Sequence, residues 1–179
     1  AVGCAALICN ETGANNVALG RASLCSNTTA SANTAVGQGA LKSNTSGSTN
    51  EAIGCDALAA NTTGSENTIV GREAGCSNTT GNCNIGIGNS SLRNNTTASN
   101  STAIGFASLC TNTTGVSNTA VGRSALQEST VGHSNTGIGQ GALQATTDGD
   151  QNTAVGNSAL TSNTTAGSNT AVGHDALGD

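Results

Sequence analysis

The chain has 179 residues, a single aromatic side chain (Phe106), no Pro, Met, Trp or Tyr, and a formal charge of −5. That length is ordinarily one domain, but without bulky side chains a conventional globular core is not expected. Five Lys and Arg residues and one aromatic leave nucleic-acid binding without its electrostatic and stacking components. No apolar run approaches the roughly 18 residues of a membrane-spanning helix, and no signal peptide is recognisable.

A single interval organises the sequence. A glycine recurs every 17 residues from Gly3 to Gly173, eleven times and with no insertion. Taken in chain order, each unit opens on this glycine, a corner that needs unusual dihedrals or a close backbone approach. Ala or Ser follows three places later. Leu stands four places later in ten of eleven units, with Gly75 the exception. Asn-Thr-Thr at places seven to nine reads as a short strand, and Gly or Ala at place ten, as at Gly64, Gly81 and Gly115, as another corner. Asn at place thirteen, with Ser101 the odd one, leads into a second short strand of Thr-Ala-Val type, which ends on an aliphatic residue before the next glycine.

Low charge with abundant Gly, Ser, Thr and Asn also suits a disordered linker, but such a linker has no reason to hold register over eleven repeats. A unit of 17 residues is too short for a helix pair and suits one coil of a solenoid. The predicted fold is therefore all-β: a β-solenoid (β-roll) of about eleven 17-residue coils, one coil per repeat, with residues 1–179 as a single repeat domain. Stacked in register, each column becomes a ladder with steps of about 4.8 Å, and the rod is roughly 48 Å long. The aliphatic and Leu columns are the predicted core, among them Val36, Leu41, Ile53, Leu58, Val121, Leu126, Val155 and Leu160. Gly75 is expected to leave a thin spot. Stacked Asn side chains are expected to bond their copies above and below.

The stretch from Gly54 to Leu58, through Asn61-Thr62-Thr63-Gly64-Ser65, to Gly71 resembles the NTAVG/AL repeats of bacterial and phage tail-fibre-like proteins. It is more distantly similar to the head repeats of trimeric autotransporter adhesins, whose Ala-Ile-Gly motif recurs at a shorter period. The resemblance covers the whole chain. It implies β-roll coils in an extracellular, cell-surface or virion fibre, often trimeric, and it carries over no catalytic residue. Two departures stand out. The Tyr that often follows the glycine is replaced here by Cys, Arg, Gln, Asn, Phe or His, and no chaperone or anchor domain lies within these residues.

No nucleophile, base and orienting group recur together, so no catalytic residue is assigned. His133 and His174 occupy different phases of the repeat. The ten acidic residues scatter over several phases, so no metal site and no cofactor is expected. Seven cysteines carry more information. Cys25, Cys76 and Cys110 share a column, at separations of about 14 and 10 Å, too far for a disulfide. Cys9 and Cys25, in neighbouring coils, can pair, as can Cys76 and Cys83 across one turn. Small half-buried thiols in place of Ser or Ala are the plain alternative. Cys4, Cys55 and Cys110 are candidates for links between chains.

Asn10, Asn27, Asn44, Asn61, Asn78, Asn95, Asn112 and Asn163 each head a glycosylation sequon, although Asn and Thr also suit solenoid turns. The Thr-Thr ladder invites comparison with ice-binding solenoids. Those proteins set their two Thr columns two residues apart, whereas adjacent residues point to opposite sides of a strand.

The functional expectation is a structural segment of a fibre. An adhesin or receptor-binding shaft with a cell-surface ligand is the alternative, and ice binding a remote third. The expected partner is the chain itself, as a trimer or as a head-to-tail filament that sets Ala1 near Asp179 of its neighbour, because neither end carries a capping element. Membrane insertion is not expected.

Overall fold

A computed structural model describes residues 1–178. Asp179, and with it the expected meeting of Ala1 and Asp179, lies outside the described residues. The fold is a β-solenoid. Ten three-residue strands form one sheet: β1 (Val17–Leu19), β2 (Thr34–Val36), β3 (Glu51–Ile53), β4 (Thr68–Val70), β5 (Ile85–Ile87), β6 (Thr102–Ile104), β7 (Thr119–Val121), β8 (Thr136–Ile138), β9 (Thr153–Val155) and β10 (Thr170–Val172). Their order in the sheet is their order in the chain. All pairs are parallel, and each residue lies beside the one 17 places on, as Ala103 lies beside Ala120. Val2 adds an isolated bridge to Leu19. The count of about eleven coils is thus slightly high, because ten strands enclose nine full turns and the remaining residues form partial coils.

Only the Thr-Ala-Val segments are strands. The Asn-Thr-Thr segments, expected to be strands, are bends, because two successive amides share one carbonyl: Thr62 and Thr63 both donate to Thr79 O, at 2.9 and 3.2 Å. A strand ladder needs each amide to find its own acceptor.

The core differs from the sequence expectation in a physically informative way. Leu41, Leu58, Leu126 and Leu160 are buried, as predicted. Val36, Val121 and Val155 are only half-buried, and Ile53 is exposed. The expectation that these four belong to the core is therefore corrected. Side chains alternate along a strand, so one residue of three points inward. The inward one is the small middle residue, Ala35, Ala52, Ala120 or Ala154, each 0% exposed. The Leu column and the Ala or Ser before it fill most of the interior opposite, which leaves room for little more than a methyl group from the sheet.

Leu pays a conformational cost for its place. Leu41 and Leu126 both have φ of 50°. The left-handed region costs an L-residue about 1–2 kcal/mol, and full burial of Leu contributes about 1.5–3 kcal/mol, so the packing offsets the strain. Gly75 shares this conformation, with φ of 54°. It leaves no thin spot. Ile69, which stands where most strands have Ala, is 1% exposed, and its Cδ1 lies 3.5 Å from where a Cβ on Gly75 would be. One large side chain from the sheet replaces the missing Leu. The neighbouring strand yields in turn: at Gly86 a Cβ would come within 2.8 Å of the same Cδ1.

The corner glycines are required twice over. Gly122 has φ of 136°, and a Cβ there would run into the carbonyl oxygen of Gly139 in the next coil.

Candidate functional site

Two asparagine ladders run through the rod, and they decide which polar groups are left for chemistry. At place seven, Asn44 donates through Nδ2 to Oδ1 of Asn27 (3.1 Å) and to the carbonyl of Gly47 (2.8 Å). Asn61, Asn78, Asn95 and Asn112 repeat the pattern. At place thirteen the backbone amide of Asn50 donates to Oδ1 of Asn33 (2.9 Å), while Nδ2 of Asn50 reaches the carbonyl of Gly64 (2.9 Å). Ser101 keeps this second ladder going, since its Oγ accepts from the amide of Asn118 at 3.3 Å. Turn carbonyls and amides that would otherwise be buried without partners are satisfied in this way.

The first ladder also closes most of the sequons. Asn27, Asn44, Asn61, Asn78, Asn95 and Asn112 are buried, with both amide hydrogens donated inside the rod. An N-glycan would take one of those hydrogens and needs an open path to solvent, so these six are corrected from candidate glycosylation sites to structural residues. Asn10 and Asn163 are half-buried. Each donates to its own turn, Asn10 to Gly13 O (2.9 Å) and Asn163 to Ala166 O (3.0 Å).

The threonines at place eight are likewise committed. Their hydroxyls donate to the backbone of the next coil, as Thr45 does to Thr62 O (3.0 Å) and Thr113 to Thr130 O (3.0 Å). Of the two Thr columns that invited comparison with ice-binding solenoids, the one at place eight is thus bonded within the rod, while the one at place nine, with Thr63 and Thr80, is exposed.

All seven cysteines are free. The two suggested disulfides are accordingly not formed. Cys9 and Cys25 are neighbours, with the amide of Cys9 donating to the carbonyl of Cys25 at 3.2 Å. The Cys25 thiol nevertheless turns to the following coil, 3.4 Å from Lys42 O. Cys76 and Cys83 diverge: one thiol faces Arg93 O in the next coil (3.6 Å), the other Glu66 Oε2 in the preceding coil (3.5 Å). Of the suggested interchain cysteines, Cys4 is exposed, while Cys55 and Cys110 are partly buried. Burial raises the Cys110 thiol above its ordinary value of 9.0. Burial, followed by the bond to Asp56, raises Cys55, and for Cys83 the bond to Glu66 is the leading cause.

The histidines stay apart. His133 Nδ1 accepts from the amide of Val116 at 3.0 Å, and His174 pairs with Asp175 at 2.8 Å on the surface. Among the described residues no three His, Cys, Asp or Glu side chains converge on a point. An open groove of about 390 Å³ lies at one end of the rod, lined by Leu160, Asn163, Thr164, Ala166, Asn169 and Leu177 among others. It sits over the last turn.

What sequence reasoning missed is the outer face of the sheet. Places fourteen and sixteen flank the inward Ala and so point outward together. The signal was the small residue in the middle of Thr-Ala-Val, which fits a narrow interior better than Val does. No protein-family model, curated protein or solved structure matches the chain.

Proposed function

We propose that the chain is a structural segment of an extracellular or virion fibre, which lengthens by stacking coil on coil. The observation that carries this reading is the sameness of the coil-to-coil contact: every successive strand pair has the same parallel 17-residue register. A further coil, of the same polypeptide or of another copy, adds by repeating bonds already present. Repeated polar groups that another protein would leave free for chemistry are here bonded to their neighbours, which suits a rod rather than a catalyst.

Electron microscopy of the purified protein tests this. Straight, unbranched rods with lengths in steps of about 48 Å are expected. A monodisperse monomer of 17.1 kDa in light scattering, with and without reductant, overturns the stacking.

A further inference from the structure

Places nine and twelve are exposed in every coil that contains them, and the two columns differ in kind. At place twelve the residue drifts: Ala32, Thr49, Glu66, Cys83, Asn100 and Gln151 all occupy it, each in the same left-handed backbone. At place nine it does not. Seven of ten coils have Thr there and Ser46 supplies an eighth hydroxyl, with Val131 and Asp148 the exceptions.

Nothing inside the rod holds that hydroxyl in place. The place-eight threonines spend theirs on the next coil, as Thr79 does on Thr96 O (2.9 Å). The place-nine side chain turns to solvent, and among the described residues its hydroxyl has no partner. Backbone geometry does not ask for it either. The amides of Val131 and Asp148 donate to Thr147 O and Thr164 O, both at 3.4 Å, the same bond that Thr63 makes to Thr79 O at 3.2 Å. An exposed position without a task varies, as place twelve does. A hydroxyl kept in eight coils of ten is therefore read from outside the chain.

We infer that the place-nine column is an array of O-glycosylation acceptors, each hydroxyl taking one neutral sugar from a sugar nucleotide. In the transfer, Oγ1 of Thr attacks the anomeric carbon of the sugar, and the bond from that carbon to the phosphate oxygen breaks. The nucleoside diphosphate leaves with the electron pair, and the hydroxyl proton passes to a base of the transferase.

Access suits this chemistry. Place nine stands beside the corner at place ten, whose small residue is buried, as at Gly64, Gly81 and Ala98, so no bulky side chain screens it there. The same peptide, Asn-Thr-Thr followed by Gly or Ala, is offered coil after coil. The exceptions suit it too. Separate acceptors tolerate Val131 and the carboxylate of Asp148 in the column, whereas a lattice-matching surface such as ice needs an unbroken run. Phosphate on each hydroxyl would set doubly charged groups about 4.8 Å apart, and a neutral sugar avoids that repulsion. Hydration is also what the rod lacks: 8% of its residues are charged, against about 25% in average domains, and carbohydrate supplies it. The place-nine hydroxyls take no part in coil-to-coil bonding, so the inference does not rest on the fibre reading.

Intact mass spectrometry of the protein purified from the cells that make it is the test. The expected mass exceeds 17.1 kDa by up to eight increments of one sugar residue, lost on alkaline β-elimination and mapped to place nine by electron-transfer fragmentation. Replacing Thr29, Thr63, Thr80, Thr97 and Thr114 by Val, a residue the fold already accepts there in Val131, is expected to leave at most three additions. The circular dichroism spectrum of this fivefold variant is expected to be unchanged. The bare sequence mass overturns the inference. So do phosphate increments, additions that persist in full in the fivefold variant, or sugars spread equally over Ser117 and Ser134 at place twelve, which would make exposure alone the criterion. Faceted ice crystals grown with the sugar-free protein would assign the column to ice and likewise overturn it.

Discussion

The carboxamide oxygen of Asn112 is buried without a donor, and so is the hydroxyl of Ser129. Both lie where the first asparagine ladder breaks, because Ser129 and Thr146 replace Asn in two successive coils. Leaving a buried polar group unpaired costs about 1–3 kcal/mol. The double substitution Ser129→Asn and Thr146→Asn joins Asn112 to Asn163 in one ladder, and it is expected to stabilise the protein by about that amount. A denaturation midpoint that fails to rise would show that the amides do not fit. Gly122→Ala tests the opposite case. It forces a side chain into a glycine-only conformation and against the next coil's carbonyl, and is expected to cost about 3 kcal/mol or more. No side-chain movement can relieve that clash, because the obstacle is backbone.

At the scale of one coil against the next, Ile69, Gly75 and Gly86 form a set in which each residue makes sense only with the others. Ile69→Ala removes the group that fills the space over Gly75 and is expected to cost about 2–4 kcal/mol. Adding Gly75→Leu restores the arrangement of the other coils, whose Leu side chains adopt the same left-handed backbone. The double variant is therefore expected to recover most of the loss. Chemical denaturation of the two single variants and the pair gives the coupling directly, and strict additivity would show that the two sites do not share a space. Leu126→Ala, with no Ile opposite it, is expected to cost about 2–5 kcal/mol.

Across the whole molecule, each coil touches only its neighbours, so stability is a sum of similar steps and a local defect stays local. The free thiols report on it. Cys55, Cys83 and Cys110 all titrate above the ordinary 9.0 in the folded rod, so folding favours their neutral forms. That contribution is fully present below pH 9.0 and is lost as pH rises through the higher folded values. Stability is expected to decline on the alkaline side, and Cys110 to be alkylated more slowly at neutral pH than in the unfolded chain. Mass spectrometry of timed alkylation checks this, and equal rates would contradict it.

The unbroken glycine interval by itself determined the solenoid, its 17-residue coil and the stacking of Leu and Asn columns, because a period imposes the same contact at every step whatever its details. The Leu column could be placed inside from sequence, since an invariant large apolar side chain beside Ala has nowhere better to go. The aliphatic column could not. Which side of a three-residue strand faces inward depends on how much space the opposite wall leaves, and that is fixed only when Leu41 and its equivalents have taken their left-handed turn into the interior. The same is true of the sequons. Asn44 looks identical in sequence whether it faces solvent or its copy in Asn27, and only the stacked coils bring the two amides to 3.1 Å. Tertiary structure thus decided the inside and outside of a rod whose repeat was already written in the chain, because burial is a property of neighbouring coils and not of any one of them.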